Sequence, residues 1–254
     1  MKKIITLALL LFLFSKSFSQ VKIHSHNDYA GKAPLHEAYE AKADEIEADI
    51  FLIDGKLVVA HSKKEIDTNK TLSALYLQPI ADWFKQFGNR VSLDRKYTFS
   101  LMIDIKGDWD LTYSVLKNEI EKYGHIFNRS KGKRNIQVVI SGNRPLHHTF
   151  HSYPNWLFFD GLPNVGYAKE DLKRVTMISD NFATYSKWKG KGEIPEADRI
   201  KLRNVIESAQ KLKKPIRFWG APDTKDAWGQ LRDLGASIIN TDQVKESKIY
   251  LSTN

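Results

Sequence analysis

Eight short apolar runs, taken in turn with stretches of helical spacing, set the strongest limit on how this chain can fold. They are Val21–His24, Glu45–Phe51, Thr98–Ile105, Ile136–Ile140, Trp156–Phe159, Val175–Ile178, Ile216–Trp219 and Ser237–Ile239. All have strand length and most are rich in Val, Ile or Phe. Between them, Leu35, Ala38 and Tyr39 share one side of Leu35–Ala43, and Leu111, Val115, Leu116 and Ile120 share one side of Leu111–Tyr123. Pro195 opens Glu196–Leu212, where Ile200, Val205, Ile206 and Ala209 face one way, and Thr224–Leu234 is closed by Gly235. Strands alternating with helices predict a parallel sheet with helices outside. Eight of them in 254 residues predict an α/β fold, a (β/α)8 TIM barrel.

Neither G-x-G-x-x-G nor G-x-x-x-x-G-K-[ST] occurs, which argues against dinucleotide enzymes and P-loop NTPases. The absence of Cys excludes disulfides, thiolate metal sites and a thiol nucleophile. Lys2 and Lys3 precede an apolar run from Ile4 to Phe14, and small residues follow at Ser17 and Ser19. That pattern predicts a signal peptide over residues 1–19 and an exported protein, periplasmic or secreted, whose domain is 20–254. The formal charge of +9 permits anionic partners. Its basic clusters, Lys131–Arg134 and Lys187–Lys191, read as solvated loops, so no nucleic-acid partner is expected.

In a barrel the reacting groups stand at the carboxyl ends of the strands. The first run ends His24-Ser25-His26-Asn27-Asp28-Tyr29, and the second carries Glu47 and Asp49. An Asp54-Gly55 turn then leads through Lys56–Ala60 to His61, and the third run ends Asp104-Ile105-Lys106. Residues two apart on a strand share a face, so Glu47 aims with Asp49 and Asp104 with Lys106. Two carboxylates side by side in an apolar strand need a compensating cation. A third from the next strand completes an oxygen cage suited to Mg2+ or Ca2+. A solvated edge strand, or a salt bridge to Lys106, is the plainer alternative. Among other strand-end residues (Ser141, Arg144, Asp160, Ser179, Asp180, Trp219 and Asp242), Arg144 and Trp219 are the preferred pocket contacts. His147, His148 and His151 read as loop histidines, and Phe150, Phe158 and Phe159 as core. The pair His24-x-His26 also allows a zinc amidohydrolase-like barrel, although later strands supply no further His. A non-catalytic module binding carbohydrate or a lipid headgroup is the remaining alternative.

The opening His-Asn-Asp-Tyr, then Ile46–Asp49, Asp54–His61 and Ile103–Lys106, resemble the glycerophosphodiester phosphodiesterase and phosphatidylinositol phospholipase C-like superfamily. The nearest resemblance is to the branch that includes the fungal altered-inheritance-of-mitochondria proteins. It implies a TIM barrel, one divalent cation, and two acid–base histidines acting on a small-molecule or lipid-headgroup phosphodiester. The implied partners extend to transient contact with a membrane surface, and the chain would act as a monomer. By the same resemblance Glu47, Asp49 and Asp104 are the metal ligands, His26 and His61 the catalytic pair, and Lys106 a phosphate contact. His24 is the alternative to His26. Asn27 stands where better-known members carry Arg and joins Lys106, Arg144 and Trp219 as a substrate contact. Asp104 stands where those enzymes carry Glu.

Overall fold

The computed structural model describes residues 21–253. Nine strands form one sheet: β1 (Lys22–Ser25), β2 (Glu45–Ile53), β3 (Lys56–Val59), β4 (Ser100–Ile105), β5 (Gln137–Gly142), β6 (Leu157–Gly161), β7 (Val175–Asn181), β8 (Ile216–Trp219) and β9 (Ile238–Thr241). Their order is β1-β9-β8-β7-β6-β5-β4-β2-β3, and a further β1–β2 pairing closes the ring. Eight strands are mutually parallel, and β3 returns antiparallel along β2. The predicted TIM barrel is the fold, and each of the eight apolar runs is one of its staves.

The antiparallel excursion has a local cause. Asp54 (φ 48°) and Gly55 (φ 75°) are both left-handed, the backbone that a two-residue hairpin needs and that Asp-Gly favours. Register then pairs Ile50 with Val59, and the Ala60 amide donates to the Asp49 carbonyl (3.2 Å). The hairpin thereby returns His61 to the level of Asp49.

The helices are α1 (His36–Glu40), α2 (Gln78–Gln86), α3 (Trp109–Glu121), α4 (Lys169–Leu172), α5 (Glu196–Lys211), α6 (Lys225–Leu234) and α7 (Val244–Thr253). The Asp108 carboxylate caps α3 by accepting from Leu111 N (3.0 Å), and Thr224 caps α6. Gly235, at φ 106°, ends α6 as its sequence predicted. The β/α alternation is uneven. Between β5 and β6 the chain makes only a 3-10 helix, His147–Ser152, in a segment bounded by Pro145 and Pro154. None of α2, α4 and α7 was assigned from spacing.

The inward side chains of the strands form levels along the barrel axis. At the lower end Met102, Val139, Met177 and Ile238, with Phe158 against them, make an apolar plug. A larger apolar layer lies outside, between strands and helices, where Phe150 stacks on Phe159 with ring centroids 3.9 Å apart. Above the plug the interior turns polar: His24, Glu45, Glu47, Ser141, Asp160, Ser179 and Arg217 are all buried. Burying that many polar groups is tolerable only if they bond to one another, and they do.

Candidate metal and acid–base site

The polar level is centred on His24 and Arg217. His24 is wholly enclosed, with Nδ1 3.1 Å from Glu45 Oε2 and Nε2 3.1 Å from Glu47 Oε2. Arg217 Nη1 lies 2.7 Å from the same Nε2, and Nη2 reaches Asp160 Oδ2 (3.2 Å). Ser141 and Ser179 donate to that Asp160 oxygen as well. Asp160, Glu47 and Glu45 outweigh the burial that would lower the pKa of Arg217, and raise it. Burial acts to raise the pKa of Glu47, but the His24 hydrogen bond and the charges of His24 and Arg217 prevail and hold it at about 2.

One level higher, register sets Asp49 beside Asp104, and one oxygen from each of Glu47, Asp49 and Asp104 lies within 4.8 Å of the others. No other group of three or more His, Asp or Glu among the described residues is arranged to hold a metal ion. The Lys106 ammonium touches two of the three, 2.9 Å from Asp49 Oδ2 and 3.1 Å from Asp104 Oδ1. Three carboxylates against one direct cation leave excess negative charge. Asp104 carries the mark of it: burial, then Glu47 and Asp49, push its pKa up to about 6 despite Lys106. An all-oxygen, electron-rich cluster at a barrel mouth fits a hard divalent ion. The salt bridge considered as the plainer alternative is present too, and one Lys does not neutralise the group.

The two remaining histidines stand at the rim. His26, with its side chain 30% exposed, places Nδ1 2.8 Å from Asp242 Oδ1, and its backbone N–H donates to Thr241 O. Burial lowers its pKa, but the Asp242 hydrogen bond and the charges of Glu47 and Asp242 outweigh that and raise it. His61, with its side chain 59% exposed, places Nδ1 3.3 Å from Asp49 Oδ2. Each ring therefore has Nδ1 at a carboxylate, while Nε2 has no protein partner among the described residues. A cavity of about 1260 Å3 opens beside them, lined among others by Ser25, His26, Asn27, Tyr29, His61 and Asp242.

The motif between them divides its work. Asn27 (φ 47°) turns the chain, and its side-chain Nδ2 lies 2.9 Å from His26 Nδ1. Asp28 is buried and ties down the loop by accepting from Leu35 N (2.6 Å) and Tyr76 Oη (2.9 Å). The Tyr29 hydroxyl lies 2.7 Å from both Asp49 Oδ2 and Asn27 Oδ1 and 3.1 Å from His61 Nδ1. Arg144 sits 3.9 Å from Asp160, and Trp219 is exposed at the end of β8. His24, the alternative to His26, faces the barrel interior and not the cavity. His151 is held by Asp171 (2.8 Å), away from the carboxylate cluster.

Two contributors went unassigned in the sequence. Arg217 has the same strand parity as Trp219, and an Arg inside the run Ile216–Trp219 was the available signal. Tyr29 closes the first motif but shows its role only once His61 is brought across from β3.

Residues 13–160 match the model of the AIM6-like phosphodiesterase domain, more than half of the chain. It belongs to that family. The chain is 24% identical over 91% of its length to an altered inheritance of mitochondria protein 6 homolog of Arthroderma benhamiae, covering 83% of that protein. With altered inheritance of mitochondria protein 6 of Saccharomyces cerevisiae it shares 26% identity over 91% of its length and 70% of the relative's. Among solved structures, a glycerophosphodiester phosphodiesterase from Parabacteroides distasonis superposes with a TM-score of 0.57 at 15% identity, covering 92% of this chain and 98% of that one. A Ca2+-dependent phosphatidylinositol-specific phospholipase C from Streptomyces antibioticus gives 0.56 at 12% identity, covering 91% and 96%. Both show the same barrel.

These relatives correct one expectation. Export was inferred from residues 1–19, which lie outside the described residues, whereas the curated relatives are named for the inheritance of mitochondria, a property of the cell interior. The assignment to a periplasm or to secretion is withdrawn. No helix among the described residues is long and apolar enough to cross a membrane.

Proposed function

We propose that this member of the AIM6-like phosphodiesterase family cleaves a small or headgroup phosphodiester at the mouth of its barrel, with one divalent ion held by Glu47, Asp49 and Asp104. The observation that carries this reading is the union of three carboxylates within 4.8 Å and two rim histidines whose Nδ1 atoms each meet a carboxylate. Bound there, Mg2+ or Ca2+ would act as a Lewis acid on a non-bridging phosphoryl oxygen.

The chain's own residues would do the rest. At His26 the Asp242 carboxylate, 2.8 Å from Nδ1, would draw the proton to that nitrogen and leave Nε2 to exchange protons with substrate, and His61 would present Nε2 in the same way. One ring deprotonates the attacking hydroxyl, the other protonates the departing alkoxide, and their roles reverse for a cyclic intermediate. Lys106 adds positive charge beside the phosphoryl oxygens. Arg144 and Trp219 line the approach from the β5 and β8 sides, and Asn27 lies next to His26 to contact the diester.

The test is turnover of a panel of glycerophosphodiesters and phospholipid headgroup diesters by the purified chain. Hydrolysis in Mg2+ or Ca2+ that a chelator abolishes is expected. Ion-replete protein that leaves every diester intact would defeat the proposal.

A further inference from the structure

The rim holds a group that neither the metal cluster nor the acid–base pair requires on chemical grounds: the Tyr29 hydroxyl. It bridges the two sides of the mouth, touching Asn27 on the loop after β1, Asp49 on β2 and His61 after β3. We propose that Tyr29 is a positioning residue that fixes His61 as its Nδ1–H tautomer, so that Nε2 is the nitrogen presented to substrate. The proposal deepens the phosphodiesterase reading and rests on it for its catalytic meaning.

The argument is one of donors and acceptors. A phenol has one proton to donate and lone pairs to accept with. Its one proton has two acceptors at 2.7 Å, Asn27 Oδ1 and Asp49 Oδ2, of which the ionised Asp49 is the stronger, and in neither case does it point to His61. The hydroxyl oxygen is then an acceptor facing His61 Nδ1 at 3.1 Å, closer than the 3.3 Å separating that nitrogen from Asp49 itself. Both neighbours of Nδ1 are acceptors, so the ring proton belongs on Nδ1.

Without the phenol, little would select that form. The His61 side chain is 59% exposed, and the long contact to Asp49 would be its single anchor among the described residues. A water-exposed neutral imidazole favours the Nε2–H form, the one that cannot accept a proton at Nε2. Tyr29 in turn cannot drift. Its neighbour Asp28 is clamped by Leu35 N and Tyr76 Oη, and Leu35, at φ 66°, is fully buried. A sealed anchor thus orders an exposed catalytic ring through one hydroxyl.

The experiment is nitrogen NMR of the full chain labelled with heavy nitrogen in its histidine rings. It is run without added metal at about pH 8.5, where an ordinary imidazole is neutral. His61 is assigned by loss of its signals in His61→Gln. The expected result is an Nδ1–H pattern for His61 in the wild type and a shift toward Nε2–H in Tyr29→Phe. An Nε2–H wild type, or an unchanged pattern in a folded Tyr29→Phe, overturns the proposal. Should Tyr29→Phe melt, the wild-type pattern alone decides. In the turnover assay Tyr29→Phe is expected to lower kcat by about 10–100-fold with KM nearly unchanged, the range for residues that orient another ligand or base. Equal kcat in the two proteins would also overturn it. Absence of turnover in the wild type would instead defeat the phosphodiesterase reading and leave the ring pattern to judge Tyr29.

Discussion

His24 lies on the first stave of the barrel and His26 in the turn just beyond its end, two residues apart, and they have opposite surroundings. His24 is sealed, with one nitrogen against Glu45 and the other against Glu47 and Arg217. His26 is part open and lines the cavity, with Nδ1 at Asp242 and Nε2 without a protein partner among the described residues. Depth along the barrel axis separates them. At the lower level both ring nitrogens of His24 face protein partners and the ring is fully buried, so it organises structure and is closed to a substrate. One level higher the stave has ended, and the same side chain keeps one nitrogen without a protein partner among the described residues.

The largest expected effect that could break this contrast is on turnover. His26→Ala and His61→Ala should each lower kcat against the preferred diester by about 10²–10⁴-fold, the usual share of a general acid or base. Their melting temperatures should stay near that of the wild type, because both rings are partly exposed. Rates that survive either change would put the chemistry elsewhere.

His24→Ala should do the reverse, registering first as lost stability. It leaves Glu45 and Glu47 buried without their shared partner, and breaking a buried charged pair costs about 3–5 kcal/mol. Urea unfolding would read it. A variant as stable as the wild type, yet inactive, would move His24 into the reacting group.

A smaller effect should appear in the pH dependence of the metal-free protein. The pKa of Asp104 is raised to about 6 in the folded state, against about 3.9 in an unfolded chain. A raised pKa means that the folded state holds its proton more tightly. This contribution is complete below about pH 4 and is lost as the pH rises through about 6, by on the order of 2–3 kcal/mol. His26, also raised, adds a decline of the same sign. Glu47, held at about 2, acts below this window and with the opposite sign. Asp104→Asn should therefore remove part of the fall in melting temperature between about pH 5 and pH 8, and parallel curves would contradict the crowding of charge at the mouth.

The sequence carried the staves because each is an unbroken apolar run, and a parallel barrel buries both faces of its strands. It carried Glu47, Asp49 and Asp104 as a group because strand parity is a local property. It named Asp242 as a strand-end residue but could not carry its contact with His26, 216 residues away, or the bridge from Tyr29 to His61, which needs the hairpin to close first. The choice between His24 and His26 was illegible for the same reason: parity is shared, and only the heights of neighbouring strands differ. One gap in the helical pattern was legible as well. Between β5 and β6 the segment bounded by Pro145 and Pro154 makes only a 3-10 helix, so the pattern there held no helical face to read.

Calorimetric titration of the chelator-stripped protein with Mg2+ and with Ca2+ tests the central claim most directly, with Glu47→Gln and Asp49→Asn as comparisons. One ion per chain is expected for the wild type, with affinity at least about tenfold weaker in either variant. No binding by a folded wild type, or equal binding by variants that have lost a cage oxygen, would contradict it.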